Sequence, residues 1–125
     1  MFNQSLVEEL RENFFSKMTT KTYEWRAGQL RKMIEGVKAL EKEFSDAIMA
    51  DLGKCPEANA FEMALVIAAC EHDLKHLKEW MRDIHTETEL LLAPGRTSIH
   101  YEPLGVVAVY SAWNYPVILA LKPVA

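Results

Sequence analysis

Pro103-Leu104-Gly105-Val106-Val107-Ala108-Val109-Tyr110-Ser111-Ala112-Trp113-Asn114-Tyr115-Pro116 is the stretch on which the reading of this chain turns. Val106 to Tyr110 is β-branched and aromatic with no polar alternation, the pattern of a strand buried on both faces in a parallel sheet. Trp113-Asn114-Tyr115-Pro116 ends that run, and Pro116 suits the first position of a helix through Leu119 and Leu121, with Pro123 inside it. The stretch therefore predicts a strand, a turn presenting one amide side chain, and the start of a helix. An amide donor at such a turn can bond a developing oxyanion, a contact worth about 10²–10³ in rate. A turn asparagine that bonds its own backbone is the commoner arrangement, and spacing alone favours it.

Upstream, Thr97-Ser98-Ile99-His100-Tyr101 reads as an extended segment, Ala93-Pro94-Gly95 as a turn, and Thr86 to Leu90 has mixed β propensity. Before these the chain is helical in pattern. Met63, Ile67, Cys70, Leu74, Leu77, Met81 and Ile84 recur at steps of four and three behind Pro56. Between Ala58 and Cys70 the residues are apolar almost all round, which predicts burial on several sides there and a one-sided helix afterwards. Leu30, Met33, Ile34, Val37, Leu40, Phe44 and Ile48 trace one face of another long helix that begins near Thr22. Gly53 is placed for the left-handed residue at its end, and a Gly-Lys-Cys-Pro loop then joins the two helices into a hairpin. Ser5-Leu6-Val7-Glu8 has the capping-box pattern. Leu6, Leu10 and Phe14 follow on a short helix to about Lys17, expected to pack across the hairpin.

The chain has 125 residues, half of them apolar, enough core material for one small domain. A net charge of −4 with interspersed signs argues against nucleic acid as a partner. The apolar stretches are too short or too broken to span a bilayer. The N-terminus lacks the continuous apolar core of a secretory signal, so Cys55 and Cys70 are expected as reduced thiols in a cytoplasmic protein.

Pro103 to Pro116 resembles, without a gap, the segment of aldehyde dehydrogenases in which Pro-Leu/Val-Gly-Val leads through a strand to Trp-Asn-Tyr/Phe-Pro. The likeness is closest to the class 3 branch. It extends more loosely through Asp51-Leu52-Gly53-Lys54, Trp80 and Ile99-His100-Tyr101-Glu102, over nearly the whole chain. The resemblance implies an α/β family fold with a Rossmann-type coenzyme domain, of which this chain would hold three parts. These are a helical region over 1–85, an extended arm over 86–102 and the start of the coenzyme domain over 103–125. It implies that Asn114 stabilises the oxyanion of a thiohemiacetal. It also implies that Tyr110, Ser111, Ala112 and Trp113 line the groove for NAD or NADP, although Ser111 and Ala112 stand where the family often has glycine or proline.

Three family signatures are missing. Cys55 lies in Gly53-Lys54-Cys55-Pro56 and Cys70 in Ala68-Ala69-Cys70-Glu71, neither a Gly-Gln-x-Cys context for the nucleophile. Glu9-Leu10 and Glu89-Leu90 lack the two glycines that follow the family's general base, and Lys122 comes too early to be the adenine-ribose lysine. Covalent catalysis needs an activated thiolate aligned with a base. The expectation is thus the N-terminal portion of an NAD(P)-dependent aldehyde dehydrogenase, inactive alone, whose whole form oxidises an aldehyde to a carboxylate. The alternative is a non-enzymatic helical module that docks on full-length subunits or on a second copy of itself.

Remaining residues read more simply. His72 and His76 share a helix face at i, i+4 spacing that can bind zinc, but a third ligand and the intervening glutamate base are missing, so a surface pair is expected. Cys70 fits a small buried hydrophobe and Cys55 an exposed thiol. Phe14 and Phe15 beside Arg11 and Lys17 suit burial against the hairpin better than a membrane surface. A single strand cannot make a sheet, so Val106, Val107, Val109, Tyr110, Val117, Ile118, Leu119 and Leu121 are expected to lack their normal neighbours. Each would forgo roughly 1.5–3 kcal/mol of burial, while the hairpin, held by mostly local contacts, is expected to survive alone.

Overall fold

A computed structural model describes residues 3–125. Its elements in order are α1 (Gln4–Leu10), a π-helical turn (Arg11–Phe15), a 3₁₀ turn (Thr19–Lys21), α2 (Tyr23–Ala39), α3 (Glu41–Leu52) and α4 (Pro56–Trp80). There follow β1 (Ile84–Thr86), a 3₁₀ turn (Leu90–Leu92), β2 (Thr97–Ile99), α5 (Pro116–Leu121) and a last 3₁₀ turn (Lys122–Val124).

The hairpin predicted from the heptad-like spacing is present. Thr22 caps α2, its Oγ1 accepting the Trp25 N–H at 3.3 Å. Gly53 adopts φ +66 behind α3, and Pro56 opens α4, so stop and start signals both act as read. Cys70 Sγ lies 3.5 Å from Met33 Sδ, and Asn59 Nδ2 donates to the Ser45 carbonyl at 3.2 Å. As one partner's number rises the other's falls, which is the signature of an antiparallel pair. Ala27, Leu30 and Val37 of α2, Ile48 of α3, and Met63, Val66, Cys70 and Leu77 of α4 form the core, joined by Val117 of α5.

The single long helix expected over the first arm is two. Leu40 sits at φ −103, ψ 15 between α2 and α3 with its side chain exposed. Leu40 itself keeps both helical bonds, its N–H reaching Gly36 and its carbonyl accepting from Phe44, while the helix is interrupted around it. The result is a bend, in a segment weakened by the poor helix former Gly36. Along α4 the buried residues keep to one stripe. Phe61 and Leu65 are 63% and 39% exposed, so the first half is not enclosed on several sides. The helix also ends at Trp80, short of Ile84, which pairs with Ile99 in an antiparallel β1–β2 hairpin.

α1 departs further from expectation. Asn3, not Ser5, occupies the N-cap; Ser5 lies within the helix, with its hydroxyl on the Asn3 side chain at 2.6 Å. Leu6, Leu10 and Phe14 are exposed, and no α1 residue is buried, so this helix does not pack across the hairpin. A seven-residue helix has no intrinsic stability, and its apolar stripe finds no facing surface among the described residues. Val7 is half-buried, and Phe15 turns inward, half-buried beneath the Lys21 ammonium and close to Gly105.

The buried strand over Val106–Tyr110 is not formed. Among the described residues the only sheet is β1–β2, and Val107 and Tyr110 are 63% and 85% exposed. A parallel strand exists only with hydrogen-bonded neighbours, and none lies alongside this segment. The helix after Pro116 does form, contrary to the expectation that its side chains lack partners. Val117 is buried, and Ile118 and Leu121 pack against the core. No described helix is long and apolar enough to cross a membrane.

Candidate active-site turn

Residues 110–115 lie in irregular backbone that ends in a tight turn ahead of α5. Tyr110, Ser111, Ala112, Trp113 and Asn114 are all exposed, consecutive and on the surface beside the α3–α4 corner. Trp113 lines one end of an apolar groove with Phe44, Ile48 and Leu52 of α3 and Val117 and Leu121 of α5. The Asn114 side chain makes no hydrogen bond among the described residues, so it is not the self-bonded turn asparagine that spacing alone favours. Its amide is free to donate outward.

What fixes the turn lies fifty-odd residues upstream. Pro116 is the first residue of α5 and lacks an N–H, so the first donors needing acceptors are those of Val117 and Ile118. The preceding residue, Tyr115, has no side-chain oxygen able to cap them. Glu62, on the buried stripe of α4 and 1% exposed, does so instead. Its Oε2 accepts from Val117 N at 2.6 Å and from Ile118 N at 3.1 Å. Its Oε1 accepts from Lys54 Nζ at 3.4 Å. Lys54 also donates to the Asn114 carbonyl and lies over the Tyr115 ring, 3.7 Å from its centroid. Three donors thus converge on one buried carboxylate, which is how such a group is tolerated away from water.

Asn59 holds the lysine's own backbone. It is fully buried, and its Nδ2 donates to the Ser45 carbonyl at 3.2 Å and to Ser45 Oγ and the Lys54 carbonyl at 3.3 Å each. No sequence motif marks Glu62 or Asn59, and Lys54 enters only within the helix end Asp51-Leu52-Gly53-Lys54. The available signal was two polar residues, Asn59 and Glu62, interrupting the most apolar part of α4 at the spacing of its core stripe.

The other sequence candidates are not brought together here. His72 and His76 have ring centroids 4.2 Å apart, and His76 stacks on Trp80 at 5.6 Å. His76 Nδ1 engages the His72 carbonyl at 2.8 Å, an arrangement internal to the helix. No cluster of three ligating side chains occurs among the described residues. Cys55 is exposed and Cys70 buried, both free; burial pushes the Cys70 thiol up from its ordinary range, with Asp73 adding to the effect. The Lys42 ammonium is likewise raised, by its hydrogen bond and charge pairing with Asp46.

The family model of the aldehyde dehydrogenase family matches residues 5–125. An aldehyde dehydrogenase of Craterostigma plantagineum is 42% identical over 96% of this chain and 25% of its own length. Aldehyde dehydrogenase family 3 member I1, chloroplastic, of Arabidopsis thaliana is 42% identical over 95% of the chain and 22% of its own length. The dimeric NADP-preferring aldehyde dehydrogenase of Canis lupus familiaris is 34% identical over 87% of the chain and 24% of its own length. The chain thus spans about a quarter of the length of the curated relatives it matches. With a match running from the first helix through the Asn114 turn to Ala125, the chain belongs to the aldehyde dehydrogenase family.

Proposed function

We propose that this chain is the N-terminal portion of an NAD(P)-dependent aldehyde dehydrogenase and supplies the amide that stabilises the reaction's oxyanion. The observation that carries the reading is the outward-facing Asn114 amide, unbonded among the described residues, on a turn anchored through Glu62 and Lys54. A fixed donor of this kind acts where charge develops on the aldehyde oxygen and needs no reorganisation at that moment. The neighbouring Tyr110, Ser111, Ala112 and Trp113 are exposed together and form the wall offered to the coenzyme, NAD or NADP. When bound, that coenzyme accepts the hydride. Val106–Tyr110 becomes a strand only beside the other strands of a Rossmann-type coenzyme domain.

Neither cysteine has the sequence context or, for buried Cys70, the access of a nucleophile, and no glutamate has the context of the general base. The chain by itself therefore does not turn over aldehyde. The compartment is taken as cytoplasmic on the two free thiols. The test is aldehyde-dependent NAD(P)H formation. The full-length polypeptide carrying this segment is active, Asn114→Ala lowers its kcat about 10²–10³-fold, and the 125-residue chain alone is silent. Turnover by the chain alone, or an unchanged kcat in Asn114→Ala, overturns the reading.

A second reading, a module docking on a full-length subunit or on another copy, is favoured by one observation. Val106–Tyr110 is exposed, pairs with no strand among the described residues, and has the composition of a strand that could recruit another. Protection of these amides from exchange on adding a full-length subunit supports it; unchanged exchange sinks it.

A further inference from the structure

We propose that Glu62 and Lys54 are positioning residues for Asn114, forming a buried latch that holds the catalytic turn in one conformation. The proposal deepens the oxyanion reading of Asn114 and rests on it. Three features distinguish the latch from ordinary packing. The Glu62 carboxylate replaces a cap that Tyr115 cannot provide, so the start that Pro116 marks in α5 is capped from α4. Lys54 joins that carboxylate to the main-chain oxygen of Asn114 itself, the residue whose side chain must be aimed. The same ammonium sits on the Tyr115 ring, so both residues at the apex of the turn touch one cation.

An oxyanion donor is effective only when held within a fraction of an ångström of its productive place. The Asn114 side chain has no partner of its own among the described residues, so its aim depends on its backbone. That backbone is tied on one side by Lys54 and on the other by the first turn of α5. Glu62→Gln keeps the shape of the side chain and one acceptor oxygen but removes the charge that attracts all three donors. Lys54→Met keeps an apolar stem over Tyr115 and removes the link to Asn114.

The first measurement uses the 125-residue chain and needs no activity. Glu62→Gln speeds amide exchange at Val117 and Ile118 by about tenfold or more, the loss expected for a charged hydrogen bond, while Val66 in the core is unchanged. Equal exchange in parent and variant overturns the latch. The second uses the full-length polypeptide. Glu62→Gln and Lys54→Met each lower kcat about tenfold and leave KM for the coenzyme unchanged, and neither has any further effect in an Asn114→Ala background. Losses that simply multiply in that background mean a general structural role and overturn the proposal. Should Asn114→Ala lower kcat while Glu62→Gln does not, the latch fails and the oxyanion reading stands. Should Asn114→Ala be inert, the oxyanion reading fails and the positioning role falls with it, whatever the exchange rates show.

Discussion

Replacing Asn59 by aspartate tests the polar seam between the hairpin arms. The side chain is fully buried, and its two Nδ2 hydrogens face three acceptors: the Ser45 carbonyl, Ser45 Oγ and the Lys54 carbonyl, at 3.2–3.3 Å. Two good bonds contribute about 1–3 kcal/mol net. Asn59→Ala forfeits these and leaves the Lys54 carbonyl without that partner. Asn59→Asp does worse, because an ionised carboxylate would meet oxygens where donors stood. Burial and those oxygens favour the neutral acid, so the introduced carboxyl titrates above its ordinary value of about 3.9 in the folded chain. A group raised on folding binds more protons in the native state, so its contribution is present below pH ~3.9 and is lost as pH rises through the folded value. Within that window the extra cost grows by about 1.4 kcal/mol per pH unit. The assay is urea unfolding of parent, Asn59→Ala and Asn59→Asp, followed by helical circular dichroism from pH 4 to 7. The expected result is an Asp-minus-Ala difference that is small near pH 4 and about 2–3 kcal/mol near pH 7, equivalent to a rise of some two units. A difference independent of pH refutes the buried-donor account of Asn59.

The remaining predictions concern titration and thiol access. His100 Nδ1 lies 2.5 Å from Asp83 Oδ1, which raises the imidazole above its usual value, with Glu102 adding and Lys21 opposing. A raised histidine tightens its tether at pH below about 6.5 and releases it as pH climbs through the folded value. In NMR titrations Asp83→Asn should bring the His100 midpoint down, and an unmoved midpoint denies the pairing. With an aromatic disulfide reagent, native protein should release one equivalent quickly, from exposed Cys55, and a second only on unfolding, from buried Cys70. Two fast equivalents would mean that the core around Cys70 opens readily.

The helical half of the fold was legible because its signals are local. Thr22, Gly53 and Pro56 act at their own positions, and the spacing of Leu30, Val37, Met63, Cys70 and Leu77 states the facing stripes directly. Val106–Tyr110 forms no strand for the opposite reason. Its composition describes the sheet it is suited to, whereas a strand is made by its neighbours. Leu40 kept the helical pattern while the backbone bent, since one residue off helical φ/ψ leaves the spacing of the apolar stripe intact. At the candidate site the turn and Asn114 were visible as a contiguous motif. Its supports were not, because Glu62 meets Val117 and Ile118 across separations of 55 and 56 residues, and no spacing rule reaches that far.

The short helix α5 also depends on its neighbour. Six residues opening on proline cannot nucleate a helix in water, since the first turn fixes several dihedrals for a single bond. The acceptor for its leading amides is the Glu62 carboxylate on α4. The turn that carries Asn114 accordingly borrows its shape from the hairpin: without Glu62 in place on α4, the first amides of α5 lose their acceptor and the turn its anchor.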